Sequence, residues 1–131
     1  MISQNQIKFL RSLEKKKFRT IEKQILLDGQ RLIDEAINQQ VKIKHIWISE
    51  NNSNDEFIKK IKSNKIGFSF EKDKEIKKIS NTLHPQGFLA LISINNMFNS
   101  ELKNFSNKIV ILDQIADPGN LGTILRTCAW F

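Results

Sequence analysis

Up to about residue 94 the chain alternates between two hydrophobic rhythms. Ile7, Leu10 and Leu13, with Phe9 beside them, recur at helical spacing over about 3–13. The basic stretch Lys15-Lys16-Lys17-Phe18-Arg19 follows. Ile25-Leu26-Leu27 is an apolar run closed by Asp28-Gly29, so a strand there feeds a helix over 30–38 with Leu32, Ile33 and Ile37 inward. Alternation through 41–48, with Ile46 and Ile48 facing one way, predicts a second strand that carries Trp47 in or near the core. The polar cluster Asn51-Asn52-Ser53-Asn54-Asp55 is a loop that caps a helix whose buried stripe is Phe57, Ile58 and Ile61. A short strand at 67–70, a short helix at 73–79 and a turn at His84-Pro85-Gln86-Gly87 lead to the most apolar strand, 88–94. One helix followed by β-α-β-α-β-α-β predicts a layered α/β/α domain.

The rhythm then breaks. Residues 96–107 are rich in Asn and Ser and read as a linker between a first domain, 1–95, and a new segment, 108–131. In that segment Ile109-Val110-Ile111-Leu112 predicts a buried strand ending at Asp113, and a helix runs from Pro118 to Phe131. At 100° per residue Leu121, Ile124, Leu125 and Cys128 share one face, expected to be buried, with Cys128 a packed thiol. Asn120, Thr123, Arg126 and Thr127 lie on the other. A single βα unit cannot cover both faces of its strand, and the helix has no terminating signal. The chain is therefore expected to continue for another domain's length.

Charge narrows the partners. Of 131 residues, 40% are hydrophobic and 27% charged, a globular balance, and the formal net charge is +7 with a pI near 9.6. Such a surface favours a polyanion, because Lys and Arg gain by releasing counterions from phosphates. RNA phosphates are expected to meet Arg11, Lys15, Lys16, Lys17, Arg19 and Arg31. The alternative for the first five is a solvated basic turn, and Phe18 is open to base stacking or to burial. The single cysteine, Cys128, excludes an internal disulfide. With no signal-peptide pattern and no apolar run of membrane-spanning length, a cytoplasmic protein without a membrane partner is expected.

Chemistry concentrates near the end of the chain. Asp117-Pro118 is a strong helix start, since Asp caps free amides and Pro is tolerated at the first helical position. Gly119 and Gly122 each cost about 1 kcal/mol relative to Ala inside a helix, which suggests close approach of a ligand or another backbone. A helix start bearing Asn120 and Arg126 suits a phosphate; an ordinary strand-turn-helix with glycines for packing is the alternative. Neither a dinucleotide-binding glycine pattern nor a Walker phosphate loop is present, and no His/Cys group has metal-ligand spacing. His45 and His84 read as ordinary surface histidines.

The segment Asp117-Pro118-Gly119-Asn120-Leu121-Gly122-Thr123-Ile124-Leu125-Arg126-Thr127 resembles the first signature motif of the SpoU/TrmH family of RNA ribose 2'-O-methyltransferases. Upstream, Lys16-Lys17-Phe18-Arg19, Asp28-Gly29-x-Arg31-Leu32-Ile33-x-Glu35-Ala36 and Pro85-Gln86-Gly87-Phe88-Leu89-Ala90 resemble that family's substrate-binding domain. Asp28, where relatives usually carry Glu, and Trp130, at a place usually small or polar, depart from the pattern. The resemblance implies a front domain that binds rRNA or tRNA, not DNA, with a fold like certain kink-turn-binding ribosomal proteins. It also implies a trefoil-knotted, homodimeric catalytic domain that binds S-adenosylmethionine beyond Phe131, so no cofactor-binding residue is expected within the chain. By the same carry-over Asn120 and Arg126 are the catalytic positions, and the fragment alone is expected to be inactive. A non-catalytic RNA-binding module of ribosomal-protein-like fold is the alternative.

Overall fold

The computed structural model describes residues 2–52, 54–82, 85–94 and 109–130. The chain divides into two compact units, Met1–Asn99 and Ser100–Phe131.

The first unit opens with α1 (Gln4–Ser12), started by a reciprocal cap. Ser3 Oγ accepts from the Gln6 amide at 3.2 Å, and Gln6 Oε1 accepts from the Ser3 amide at 2.9 Å. The basic stretch is not a turn: α2 spans Lys16–Glu22 and ends at Lys23 in a left-handed conformation. Straight-chain Lys and Arg favour helix, and the charge pattern concealed that preference. Next come β1 (Gln24–Asp28), α3 (Gln30–Asn38), β2 (Ile43–Ser49), α4 (Asp55–Ser63), β3 (Phe68–Glu71), α5 (Asp73–Ile79) and β4 (Phe88–Ser93).

The four strands form one sheet in the order β1-β4-β2-β3, with β4 antiparallel to both neighbours and β2 parallel to β3. Side-chain alternation sends neighbouring residues to opposite faces. Trp47, Leu89 and Leu91 pack with Ile7, Leu10 and Leu13 and with Ile76 and Ile79 of α5. Ile46, Ile48, Phe88 and Ala90 pack with Ile33 and Ile37 of α3 and Phe57, Ile58 and Ile61 of α4. The result is the expected α/β/α layering, with a core on each side of the sheet. Truncating Leu89 or Ile46 to Ala would cost about 2–5 kcal/mol, since both are fully buried. Leu32 is a correction: it is 54% exposed, and Ala36 takes the inward position with Ile33 and Ile37. Leu32 adjoins Ile33 and so sits about 100° round the helix from it, off the core-facing stripe.

In the second unit α6 spans Pro118–Trp130 and buries none of its described residues. Residues 109–112 do not form a strand, and Ile111 is 87% exposed. A strand exists through its ladder, and no described residue offers one to this run. The apolar face of α6 is open as well, with Leu125 and Cys128 exposed. The proposed linker 96–107 and His84 lie outside the described residues.

Candidate nucleic-acid interface

β1, β2 and β3 run in one direction, so their C-terminal residues Asp28, Ser49 and Glu71 reach the same end of the sheet, where β4 enters at Phe88. α3, α4 and α5 all begin there. Three helix starts therefore gather at one edge with their positive dipole ends.

Gln86 ties this edge together. Its Oε1 accepts from the Gln30 amide at 3.2 Å, and its carbonyl accepts from Asn52 Nδ2 at 2.9 Å. Asn54 caps α4 by accepting from the Phe57 amide at 3.1 Å, and its Nδ2 donates to Gln30 Oε1 at 2.9 Å. Two glycines make the arrangement possible. Gly29 has φ +107°, and a Cβ there would come within 3.0 Å of Gln86 Oε1. Gly87 has φ +79°, and its Cβ would lie 3.1 Å from Ser49 Cβ and 3.2 Å from Asn52 Nδ2. Asp28 receives hydrogen bonds from the Ser80 and Thr82 hydroxyls.

Two open cavities flank Gln86. One, of about 290 Å³, is lined by Ser49, Asn51, Asn52, Asp73, Pro85, Gln86 and Gly87. The Lys77 ammonium, 2.6 Å from Asp73, and the Ser49 hydroxyl, 3.1 Å away, hold the Asp73 carboxyl below the usual carboxylate range. A cavity lined by amides and an ionised carboxylate suits the mixed donor and acceptor edge of a base. The other cavity, of about 230 Å³, is lined by Asp28, Gly29, Arg31, Leu32, Thr82 and Gln86. Arg31 is exposed and makes no hydrogen bond or ion pair among the described residues. Its guanidinium suits a phosphate.

The remaining candidates separate. Arg11, Lys15, Lys16 and Lys17 are exposed along α1, the connection to α2 and the start of α2. Arg19 is half-buried, and its Nη1 donates to the carbonyls of Leu13 (3.0 Å) and Glu14 at the end of α1. It therefore closes a helix. α2 runs into the N-terminal end of β1 and Arg31 follows its C-terminal end, so the six cations do not form one patch. Gln86, Asn52 and Asn54 had not been singled out as site residues. The turn signals at 51–55 and 84–87 mark loops, but no linear pattern pairs residue 86 with residue 30.

His45 is not an ordinary surface histidine. Its Nε2 lies 3.0 Å from Ser69 Oγ, whose proton goes to Glu71 Oε1 at 3.0 Å. Glu71 is buried and its Oε2 accepts from the Ile2 amide at 3.0 Å. The Ser69 proton being committed, His45 must donate through Nε2. Burial lowers its pKa, against a smaller raising effect from Glu71.

On α6, Asp117 Oδ1 accepts from the Asn120 amide at 2.6 Å, the expected cap. Arg126 Nη2 donates to Thr123 Oγ1 at 3.1 Å, and a Cβ on Gly122 would sit 3.3 Å from Arg126 Nη1. Gly122 thus leaves room for the guanidinium to lie back along the helix. Asn120, Thr123 and Arg126 stay on the polar side, exposed.

Residues 4–90 match the family described as the MRM3-like substrate binding domain. The chain belongs to these substrate-binding domains of the SpoU/TrmH family. It is 35% identical over 121 residues to the mitochondrial rRNA methyltransferase 3 of Xenopus laevis, covering 87% of this chain and 28% of that protein. A TrmH-family structure from Porphyromonas gingivalis is 27% identical with a TM-score of 0.72, over 99% of this chain and 49% of the other. An RNA 2'-O ribose methyltransferase structure, at 23% identity, shares the fold with a TM-score of 0.73 over 97% of this chain and 49% of its own. A more distant chain of this fold, the rRNA methyltransferase of Sinorhizobium meliloti, is known with AdoMet bound (20% identity, TM-score 0.55, 71% of this chain and 35% of the other). The chain spans between 28% and 46% of the length of the curated relatives it matches.

Proposed function

We propose that residues 1–95 bind the RNA substrate of an S-adenosylmethionine-dependent rRNA or tRNA 2'-O-ribose methyltransferase, and that 108–131 open its catalytic domain. The observation that carries the RNA reading is the sheet end, where Arg31, unpaired among the described residues, and a cavity of amides and Asp73 lie on either side of Gln86. A cation for the backbone beside a polar cavity for a base is the division of labour that RNA recognition requires. The matching family, a substrate-binding domain, supports the same reading. A front-domain fold like that of certain kink-turn-binding ribosomal proteins and a homodimeric enzyme belong to this proposal.

The reaction moves a methyl group from a sulfonium to a ribose 2'-oxygen, which must lose its proton. The donor, when bound, supplies an already activated methyl. The described part of α6 offers an amide, two hydroxyls and a guanidinium in solvent, a set suited to phosphate or ribose, and no donor contact is assigned to it. Arg126 keeps its proton at neutral pH and is a poor base. Its role is to hold a phosphate or to stabilise the developing alkoxide. Asn120 orients the ribose or Arg126. On this reading the 131 residues bind RNA and leave methyl transfer to the assembled enzyme.

The test is RNA binding over a range of salt. Arg31→Ala should weaken binding and reduce the log–log salt slope by about 0.7, the share of one phosphate contact on a single strand. Unchanged affinity and slope would remove the sheet end from the interface.

A further inference from the structure

Among the described residues β3 is an edge strand, paired only with β2. Its register sets Phe68 opposite Ile46 and Phe70 opposite Ile48, which places both phenylalanines on the face covered by α3 and α4. Phe68 packs against that core, but Phe70 is 51% exposed. The two rings meet edge to face, with centroids 5.8 Å apart and planes at 86°. Lys62 of α4 places its Nζ 5.8 Å from the centre of the Phe68 ring. Lys72 lies two positions beyond Phe70 in extended backbone (φ −59°, ψ 138°), so the alternation carries it to the same side. Both lysines lack an ion-pair partner among the described residues. Asp73, next in the chain, lines the amide cavity at the sheet end.

An exposed ring held by a second ring, with an unpaired cation at each end of the strip, is a stacking platform for one base with its phosphates neutralised on either side. We propose that Phe70 stacks an unpaired nucleotide of the bound RNA, Lys62 and Lys72 hold its flanking phosphates, and the strand continues past Asp73 into the sheet-end cavity. This rests on the RNA reading above and adds to it a requirement for unpaired nucleotides. Charge decides against a protein strand as occupant: the chain carries +7 overall, and lysines beside an edge strand oppose strand addition.

The experiment compares the 131-residue chain with Phe70→Leu, Phe70→Tyr and Arg31→Ala, using single-stranded RNA oligonucleotides that carry 2-aminopurine and the corresponding duplexes. Single strands should bind the unaltered chain more tightly than duplexes and lose 2-aminopurine fluorescence on binding. Phe70→Leu, which keeps an apolar side chain, should weaken single-strand binding about fivefold or more and abolish the quench. Phe70→Tyr should retain both. Equal affinity and quench in Phe70→Leu overturn the platform, and if Arg31→Ala is still impaired the sheet-end reading stands. Failure of the unaltered chain to bind any RNA brings down both. If Phe70→Leu alters only a concentration-dependent self-association, the face is a protein contact and the platform is likewise overturned.

Discussion

Arg19 and Arg31 have the same side chain and serve different ends. Arg19 has two backbone carbonyls within reach, and α1 would otherwise leave those oxygens without partners. Replacing it by Ala should cost about 1–3 kcal/mol, read from the urea unfolding midpoint, while the salt slope of RNA binding stays as it was. Arg31 has no such neighbour among the described residues and is free to meet a ligand. Charge counting treats the two as equal; only their surroundings distinguish them. Gln86 gives the same lesson with an uncharged residue. Its hydrogen bond to Gln30 closes 56 positions of chain, and nothing in the residues around either one announces the other.

At the scale of elements, periodicity was a good guide wherever an element's partner is present. α3, α5 and β4 fall at or within a residue of their expected places because their apolar stripes have a sheet or helices to cover. The segments that differ do so for a physical reason. α2 is charged enough to pass for a turn, yet its residues favour helix and Arg19 anchors it. Residues 109–112 have the composition of a buried strand and remain exposed, because strand pairing is a property of two segments. α6 keeps its helix through its Asp117 cap and its own hydrogen bonds, although it carries two glycines and no buried face. An unsupported helix of 13 residues is marginal in water. Its amides should exchange with deuterium close to the rate of an open chain in these 131 residues, whereas those of β2 and β4 should be strongly protected; equal protection would show that the apolar face is covered.

Across the whole molecule, acid acts through two groups in the same direction. His45 has a folded pKa below its ordinary 6.5, so the folded state prefers it neutral and the unfolded chain takes up the proton first. Its contribution is complete above about pH 6.5 and is lost as pH falls through the folded value. Asp73, also lowered, contributes above its ordinary 3.8 and loses that contribution only at lower pH. The urea midpoint should therefore drop between about pH 7.5 and 5.5, and His45→Gln, which can still donate to Ser69, should flatten that drop. A slope unaltered in the variant would place the titrating group elsewhere. The sequence by itself determined the layered α/β order, the cap of α6, the basic character and the family motif, because each is written in neighbouring residues or in spacings of a few positions. Which cation is free, which loop meets which, and that Phe70 stands open beside Phe68 were decided only by the tertiary structure. Those facts depend on strand order and register, which bring together residues that are far apart along the chain.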